Sequence, residues 1–217
     1  MITIGVTGFA RTGKDLYCNI VKDILSINGI NAKRYAFADE LKKEVAPFLK
    51  EFCGVDVWTE DTETKTDIRD FLVWYGTTFW RKREPLRWVN RVSESVKNIE
   101  FYSVDVSLIS DVRYPNEGHW VHANNGWLIH LSKYTKLSQD GGKTWDRVFQ
   151  KAPNKQEELN DPLMHNMSDY KISWEDMTNG GTVKINMSEL VNNMYLREIV
   201  FKSLQACPLL SQKLTKM

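Results

Sequence analysis

The sequence predicts an α/β fold in which a mostly parallel central sheet is covered by helices on both faces. Short apolar, β-branched runs alternate with amphipathic stretches along most of the chain, and one run, residues 106–111 (VSLISD), ends in a carboxylate. Strands separated by helical segments favour parallel pairing, since a parallel connection needs a crossover of a dozen or more residues. The 217 residues, 42% of them hydrophobic, suffice for one domain.

The first four elements follow from periodicity. Residues 2–6 (ITIGV) read as a buried strand, and a glycine-rich turn leads from it into a helix. That helix carries one apolar stripe, made of Leu16, Ile20, Ile24 and Ile27, and Asn28-Gly29 predicts its end. Residues 32–37 (AKRYAF) suit a second strand. A second helix follows, with its apolar side at Leu41, Val45, Phe48, Leu49 and Phe52.

The rest of the chain continues the alternation. Residues 66–96 are predicted to be largely helical with a break near Pro85, and residues 106–111 to form a buried strand. Residues 116–126 predict a helix, 127–131 a strand, 182–186 (TVKIN) a last strand and 190–204 a closing helix. Residues 133–168 are polar, glycine-bearing and poorly periodic, so we expect a loop excursion there.

Charge and cysteine usage exclude several classes of protein. A formal net charge of +1 and a pI near 7.7 predict no global attraction to nucleic acid or membranes, so any anion must be held by a local site. Cys18, Cys53 and Cys207 form no CxxC pair, which argues against structural zinc and for a reducing compartment. Without a basic leader or 18 consecutive apolar residues, the protein is expected to be soluble and cytoplasmic.

Residues 8–15 (GFARTGKD) carry the GxxxxGK frame of a phosphate-binding loop. Its glycines let backbone N–H groups surround phosphate oxygens, Lys14 supplies a cation, and the following helix presents its positive N-terminus. The alternative is a simple tight turn. Asp15 stands where a serine or threonine hydroxyl ordinarily holds Mg²⁺. As a carboxylate in a first helical turn it stabilises the helix dipole, and it could also bind Mg²⁺; both interpretations stay open.

A second candidate position is the end of the buried strand 106–111. Open α/β sheets gather their ligands at the carboxyl ends of their strands, which favours Asp111 as a partner of the glycine loop. The alternative is an ordinary turn aspartate, since the following DVRYPNE is rich in turn residues. Arg113 is expected in the same crevice.

Four segments together resemble one known family, the bacteriophage deoxynucleoside monophosphate kinases, which are P-loop kinases. They are GFARTGKD (8–15), FADELK (37–42), GTTFWRKREPLRW (76–88) and SDVRYPNEGHWVHANNGWLIHL (110–131). An aspartate commonly follows the loop lysine in that family, as Asp15 does here. The resemblance implies a P-loop NTPase three-layer sandwich spanning 1–217, with a helical substrate-binding region at about 38–98 and a lid at about 133–165.

The resemblance also implies a reaction, in which ATP and a deoxynucleoside monophosphate give ADP and the diphosphate. Such a transfer needs positioned cations more than a general base. Lys14, Arg11, Asp111 and the lid residue Arg147 are then expected to be catalytic, and Asp15 and Asp111 to hold Mg²⁺. Residues expected to bind ATP are Gly8, Ala10, Arg11, Thr12, Gly13, Lys14, Asp15, Leu16 and Asn186. Residues expected to bind the monophosphate are Phe37, Ala38, Lys42, Arg69, Gly76, Thr77, Trp88, Arg113, Asn116 and Glu117.

Several of these assignments have alternatives. Arg69 also fits a solvated helix face, Trp88 fits packing, and the lid fits a polar loop without a catalytic residue. Lys143 and Lys151 are further candidates for the lid cation, and Asn179 competes with Asn186 for the adenine loop. The cluster Arg81, Lys82, Arg83, Arg87 and Arg91 is interpreted as a charged helix surface in preference to a nucleic-acid site, because Glu84 and Glu94 interleave.

Two other functions compete with the first. An animal-type phosphomevalonate kinase shares the GKD loop and the SDxR strand end, but the fuller DVRYPNE block and Gly76-Thr77 favour the nucleotide enzyme. A non-catalytic nucleotide- or nucleic-acid-binding module would be expected to lose Lys14, Asp111 or Arg113, and all three are present. The expected partner is therefore a small-molecule deoxynucleotide, with no membrane and no nucleic acid; a homodimer is left open.

Overall fold

A computed structural model of the chain describes residues 1–98, 104–138, 144–178, 186–215 and 217. The chain forms two compact units, one of Met1–Arg34 with Tyr102–Met217 and one of Tyr35–Phe101. Its strands are β1 (Ile2–Thr7), β2 (Ala32–Tyr35), β3 (Val106–Ile109), β4 (Gly126–Ser138), β5 (Trp145–Phe149) and β6 (Tyr170–Glu175). Its helices are α1 (Lys14–Ile27), α2 (Phe37–Cys53), α3 (Thr62–Val73), α4 (Arg81–Arg83), α5 (Arg87–Lys97), α6 (Pro115–Ala123), α7 (Lys155–Met167), α8 (Met187–Val191) and α9 (Met194–Gln205), with a π-helical stretch at Trp74–Trp80.

The described strands form one mostly parallel sheet in which β1 is central. Along the sheet the order is β2-β3-β1-β4-β5, and β6 also pairs with β4. Ile4 is in register with Leu108 of β3 on one side and with Trp127 of β4 on the other, both in parallel. In the described residues, β1 pairs in parallel with β3 and β4, and β4 pairs in parallel with β6, whereas β5 is antiparallel to the end of β4. The predicted α/β class with a mostly parallel sheet is confirmed.

Helices cover both faces of this sheet. Ile4 and Val6 of β1 are fully buried in a core shared with α1 and α9. On the opposite face of β1 the backbone lies against α6, where a side chain at Gly5 would come within 2.9 Å of Val121. Because both faces are buried, β1 reads as a continuous apolar run and holds the loop that follows it in a fixed position.

Several sequence predictions are confirmed by the elements of the first unit. The glycine-rich turn leads into α1, whose C-cap is Asn28, followed by Gly29 at φ 71°. β3 is buried along its whole length, and α6 and β4 follow it in the predicted order. The apolar stripe of α1 is only partly internal, since Ile24 is fully buried whereas Ile27 is 45% exposed.

The predicted loop excursion at 133–168 was wrong for most of its length. β4 continues to Ser138, β5 pairs with it as an antiparallel hairpin, and α7 follows. β6 was not predicted at all, although it lies parallel to β4. The closing helix is two helices, α8 and α9, which Asn193 separates as the N-cap of α9. The predicted strand 182–186 falls, except for Asn186, outside the described residues.

The second unit is helical, and the predicted helix 66–96 is confirmed with its break between α4 and α5. Val45, Leu49, Val57 and Ile68 form its buried apolar cluster. Phe48 and Phe52, predicted on the same stripe, are 50% and 70% exposed. None of the helices in the described parts of either unit combines the length and apolarity that a bilayer crossing requires.

A charged network ties α2 to α5 within this unit. Glu44 accepts a hydrogen bond from Arg87 Nη2 at 2.7 Å and another from the hydroxyl of Tyr75. Burial opposes the charged form of Glu44, but these hydrogen bonds keep the pKa of its carboxyl below the usual value. Arg87 also lies over the ring of Trp80, 3.5 Å from the ring centroid. Arg87, one of the five residues in the basic cluster between Arg81 and Arg91, is thus engaged in ion-pair and cation–π contacts.

We predict that Ile24→Ala destabilises the protein by about 2–5 kcal/mol, since it leaves a cavity in the core beneath β1. Ile27→Ala, one turn away on the same helix, should cost less than about 1 kcal/mol because that side chain is already half in solvent. Urea unfolding of both variants measures the difference. If both variants lost the same free energy of unfolding, α1 would not pack as described.

Candidate functional site

The loop between β1 and α1 has three residues with positive φ. Gly8 and Gly13 have φ values of 126° and 95°, and Arg11 between them is also left-handed at 66°. A side chain at Gly8 would lie 2.2 Å from the carbonyl oxygen of Leu131, and one at Gly13 would lie 2.7 Å from the ring of Trp174. Both positions therefore require glycine on two grounds, conformation and space. The glycine spacing noted in the sequence has a structural cause.

Three side chains from later in the chain fasten this loop. Trp174 of β6, only 2% exposed, donates its indole N–H to the carbonyl of Thr12 at 2.8 Å. Gln150, directly after β5, donates to the carbonyl of Ala10 at 2.7 Å. Glu157 in the first turn of α7 accepts the N–H of Ala10 at 2.7 Å. Ala10 is thus held at both of its backbone polar groups.

Lys14, the first residue of α1, is 8% exposed and is held inside the loop. Its ammonium donates to the carbonyls of Gly8 and Phe9, at 2.8 and 2.7 Å. Burial and the nearby Arg113 guanidinium lower the pKa of Lys14 to about 8, against the opposing effects of Glu157, Asp111 and Asp15. A cation at the positive end of a helix is itself unfavourable. The site therefore concentrates positive charge that an anion would stabilise.

Glu157 is the main residue that sequence reasoning missed. Besides the N–H of Ala10, its carboxylate accepts a hydrogen bond from Arg113 Nη1 at 3.1 Å, and its side chain is 11% exposed. It lies 147 positions from Ala10 along the chain. A local signal did exist: Asn154 caps α7 by accepting the N–H of Glu157, and an asparagine three residues before a glutamate is a helix-start pattern.

The end of β3 lies beside the same loop. The N–H of Val112 donates to the carbonyl of Val6, which fixes this strand end against β1. Arg113 follows with its side chain 44% exposed. Glu117, predicted to bind the monophosphate, is fully buried and accepts the N–H groups of Arg113 and Tyr114 at 2.8 and 3.1 Å. Through these two hydrogen bonds its carboxylate stabilises the turn between β3 and α6. Asn116, beside it, is partly exposed.

Asp15, a predicted metal ligand, lies at the first turn of α1 with its side chain 71% exposed, 3.2 Å from Arg34 Nη2. The negative charges of Asp111 and Asp15 both raise the pKa of Lys14, against the larger lowering by burial. Among the residues that the structure describes, no group of three or more His, Cys, Asp or Glu side chains is arranged to hold a metal. Leu16, the next residue, packs partly buried against the core.

A cleft of about 420 Å³ adjoins the loop in the first unit. Arg11, Tyr134, Phe149, Gln150, Asp176 and Thr178 are among its lining residues. Lys133 forms an ion pair with Asp176 at 3.3 Å on one side of it. Arg147, predicted as the lid cation, lies on β5 with its guanidinium 4.8 Å from the centroid of the Tyr134 ring. The cleft combines aromatic walls with charged groups.

The remaining predicted residues lie apart from the glycine loop in sequence, most of them in the second unit. Phe37 and Ala38 begin α2, and Lys42 lies over the ring of Trp58 at 4.9 Å from its centroid. Arg69 is exposed on α3, and Gly76 and Thr77 belong to the π-helical stretch. Trp88 is buried and donates to the carbonyl of Gly76 at 3.0 Å, which is a packing role. Asn186 caps α8 by accepting the N–H of Ser188. Asn179 and Lys143 lie outside the described residues.

Comparison with known proteins finds similarity among solved structures. No family model matches the chain, and no curated protein matches its sequence. Among solved structures, the chain is similar to dephospho-CoA kinase from Campylobacter jejuni, with 10% sequence identity over 94% of each chain and a TM-score of 0.42. A similarity at this level identifies neither the activity nor the substrate of this chain.

We predict that anion binding at the loop weakens as the pH rises through about 8, because Lys14 then loses its proton in the free protein. A bound phosphate favours the charged ammonium, so binding above pH 8 should take up a proton. Calorimetric titration with tripolyphosphate in two buffers of different ionisation enthalpy, at pH 7 and 9, measures that uptake. Arginine stays charged at both pH values, so at pH 9 the wild type should take up more protons on binding than Lys14→Arg. Equal uptake in the two proteins would exclude Lys14 as a source of it.

Proposed function

We propose that this protein is an ATP-dependent kinase that transfers the γ-phosphoryl group of ATP to the phosphate of a deoxynucleoside monophosphate. The observation that carries the proposal is the buried Lys14 inside a glycine-defined loop, at the meeting of a central parallel strand and a helix N-terminus. Backbone N–H groups of a glycine-containing loop, a lysine cation and a helix N-terminus are the features with which proteins commonly bind phosphate.

The donor side of the site accounts for ATP. Lys14 is proposed to leave its two carbonyl partners and bind the β- and γ-phosphates, while the loop N–H groups surround the phosphate oxygens. The cleft next to Arg11 is proposed to take the nucleoside, since its volume and its aromatic residues Tyr134 and Phe149 suit a base. Asp176 offers a hydrogen-bond acceptor in the same cleft.

The acceptor side is proposed to begin at Arg113. Its guanidinium already binds a carboxylate oxygen, lies near Lys14, and is the donor type best suited to a phosphate. Asn116, at the start of α6, offers a second polar group at this strand end. The deoxynucleotide preference comes from the resemblance to the phage kinases, which assigns the acceptor nucleoside to residues of the helical region at about 38–98.

The chemistry requires little covalent help from the protein. An acceptor phosphate oxygen attacks the γ-phosphorus, the bond to the β–γ bridging oxygen breaks, and ADP leaves with that oxygen. The acceptor is already an anion, so no general base is needed. Lys14, Arg11 and Arg113 are proposed to neutralise charge, with Arg147 as the cation of the 133–165 segment. Asp15 and Asp111 would hold Mg²⁺, a hard ion that takes one or two carboxylates together with phosphates and would offset their charge.

Two alternatives predict different outcomes in the same assay. A phosphomevalonate kinase-like enzyme would share the donor site but use an isoprenoid phosphate. A non-catalytic nucleotide-binding module would bind ATP without turnover. Arg113 near Lys14 favours transfer over simple binding, because an arginine beside the donor lysine provides for a second phosphate.

The decisive assay measures ADP release from Mg-ATP with dTMP, dGMP, dCMP, dAMP, their ribonucleotide counterparts and 5-phosphomevalonate as acceptors. We expect turnover with at least one deoxynucleotide and a loss of about 100-fold or more in kcat/KM for Lys14→Ala. The matched control is Lys22→Ala, which removes an exposed lysine from the same helix and should leave kcat/KM unchanged. Turnover only with 5-phosphomevalonate, or with no acceptor, would contradict the proposal.

Arg113→Ala tests the acceptor side. Loss of one charge-assisted contact should raise the KM for the monophosphate about 10- to 100-fold with a smaller change in the KM for ATP. Steady-state kinetics with each substrate varied in turn give both constants. Unchanged KM for the monophosphate would place the acceptor elsewhere.

A further inference from the structure

The carboxylate of Glu157 binds two groups that the proposed function assigns to phosphates. One oxygen accepts the N–H of Ala10, in the glycine loop, at 2.7 Å. The other accepts from Arg113 Nη1, at the end of β3, at 3.1 Å. Backbone N–H groups of such a loop and an arginine guanidinium are the donors by which proteins hold phosphate oxygens. Glu157 therefore accepts hydrogen bonds at once from the loop proposed to bind ATP and from the arginine proposed to bind the monophosphate.

The position of Glu157 is well defined and largely shielded from water. It lies in the first turn of α7, whose N-cap Asn154 accepts its N–H at 2.9 Å and donates to its carboxylate at 3.2 Å. Its side chain is 11% exposed, and it raises the pKa of Lys14 by its charge. A carboxylate in these surroundings offsets the repulsion between Lys14 and Arg113, which itself lowers the Lys14 pKa.

We propose that Glu157 is an internal anion that occupies the phosphate-binding position of the loop and competes with phosphate for it. Binding of a phosphate chain displaces the carboxylate from Ala10 and, in the same movement, releases Arg113. Donor binding thereby makes the acceptor arginine available, so that the two substrates bind with positive coupling. This rests on the proposed phosphate-binding role of the loop and adds to it a residue that tunes affinity and order of binding.

In this proposal Glu157 competes with phosphate through its negative charge. Glu157→Gln keeps the shape and a carbonyl oxygen for the Ala10 N–H but removes the negative charge. Gln150 continues to hold the carbonyl of Ala10, so the loop keeps its second attachment. Glu158→Gln is the matched control, because this neighbour in the same helical turn is exposed and changes the net charge equally.

Calorimetric titration with tripolyphosphate, and separately with ATP, tests the proposal at pH 6.5, which is below the pKa of about 8 that Lys14 has in the wild type. We expect Glu157→Gln to bind tripolyphosphate at least 5-fold more tightly than the wild type, with Glu158→Gln unchanged. Thermal unfolding of each variant checks that it folds. If Glu157→Gln unfolds, Glu157→Ala is measured instead, with the same expectation.

The outcomes separate this proposal from the kinase function. Tighter phosphate binding by Glu157→Gln without turnover of any acceptor would support the internal anion and contradict the kinase. Turnover by the wild type with unchanged or weaker binding in Glu157→Gln would overturn the internal anion and leave the kinase standing. Absence of binding of both probes by the wild type and Glu157→Gln would overturn both.

A second readout tests the coupling. In the wild type, ATP should tighten binding of the acceptor monophosphate, and this factor should shrink toward one in Glu157→Gln, where Arg113 is released from the start. The ratio of acceptor Kd values without and with a non-hydrolysable ATP analogue gives the factor. An equal ratio in both proteins would show that Glu157 does not link the two sites.

Discussion

The buried ammonium of Lys14 is the constraint on which the site depends. It stands at the positive end of α1, away from water and near the Arg113 guanidinium, and its pKa falls to about 8 as a result. Hydrogen bonds to two backbone carbonyls and the negative charge of Glu157 partly offset the cost of burying this ammonium. A phosphate chain would compensate for it better, because it brings several negative charges to the same point.

The sheet makes that constraint possible. β1 is central, paired in parallel with β3 and β4, and buried on both faces, so its carboxyl end is fixed. Parallel neighbours end at the same edge, which brings the Asp111 to Arg113 turn beside the glycine loop. The chain then returns to that edge through the β4–β5 hairpin and α7. Trp174, Gln150 and Glu157 thus reach a loop near the start of the sequence.

The sequence predicted those elements whose pattern lies within a short stretch of residues, and it missed contacts between residues far apart in the chain. The strand, glycine loop and helix at residues 2–27 and the buried strand before Asp111 were predictable, because burial on both faces produces apolar runs and left-handed turns require glycine. β5 was missed because all five of its residues are exposed and show no alternation. α7 was obscured by Pro162 inside it. The contact between Glu157 and Ala10 joins positions too distant for any periodicity to reveal.

A crystal structure with a non-hydrolysable ATP analogue would show directly whether a phosphate chain replaces Glu157 at the loop. We expect phosphate oxygens on the ammonium of Lys14 and the N–H of Ala10, with the Glu157 carboxylate withdrawn from both Ala10 and Arg113. A nucleotide bound elsewhere, or phosphates seated in the loop while Glu157 keeps both of its hydrogen bonds, would contradict it.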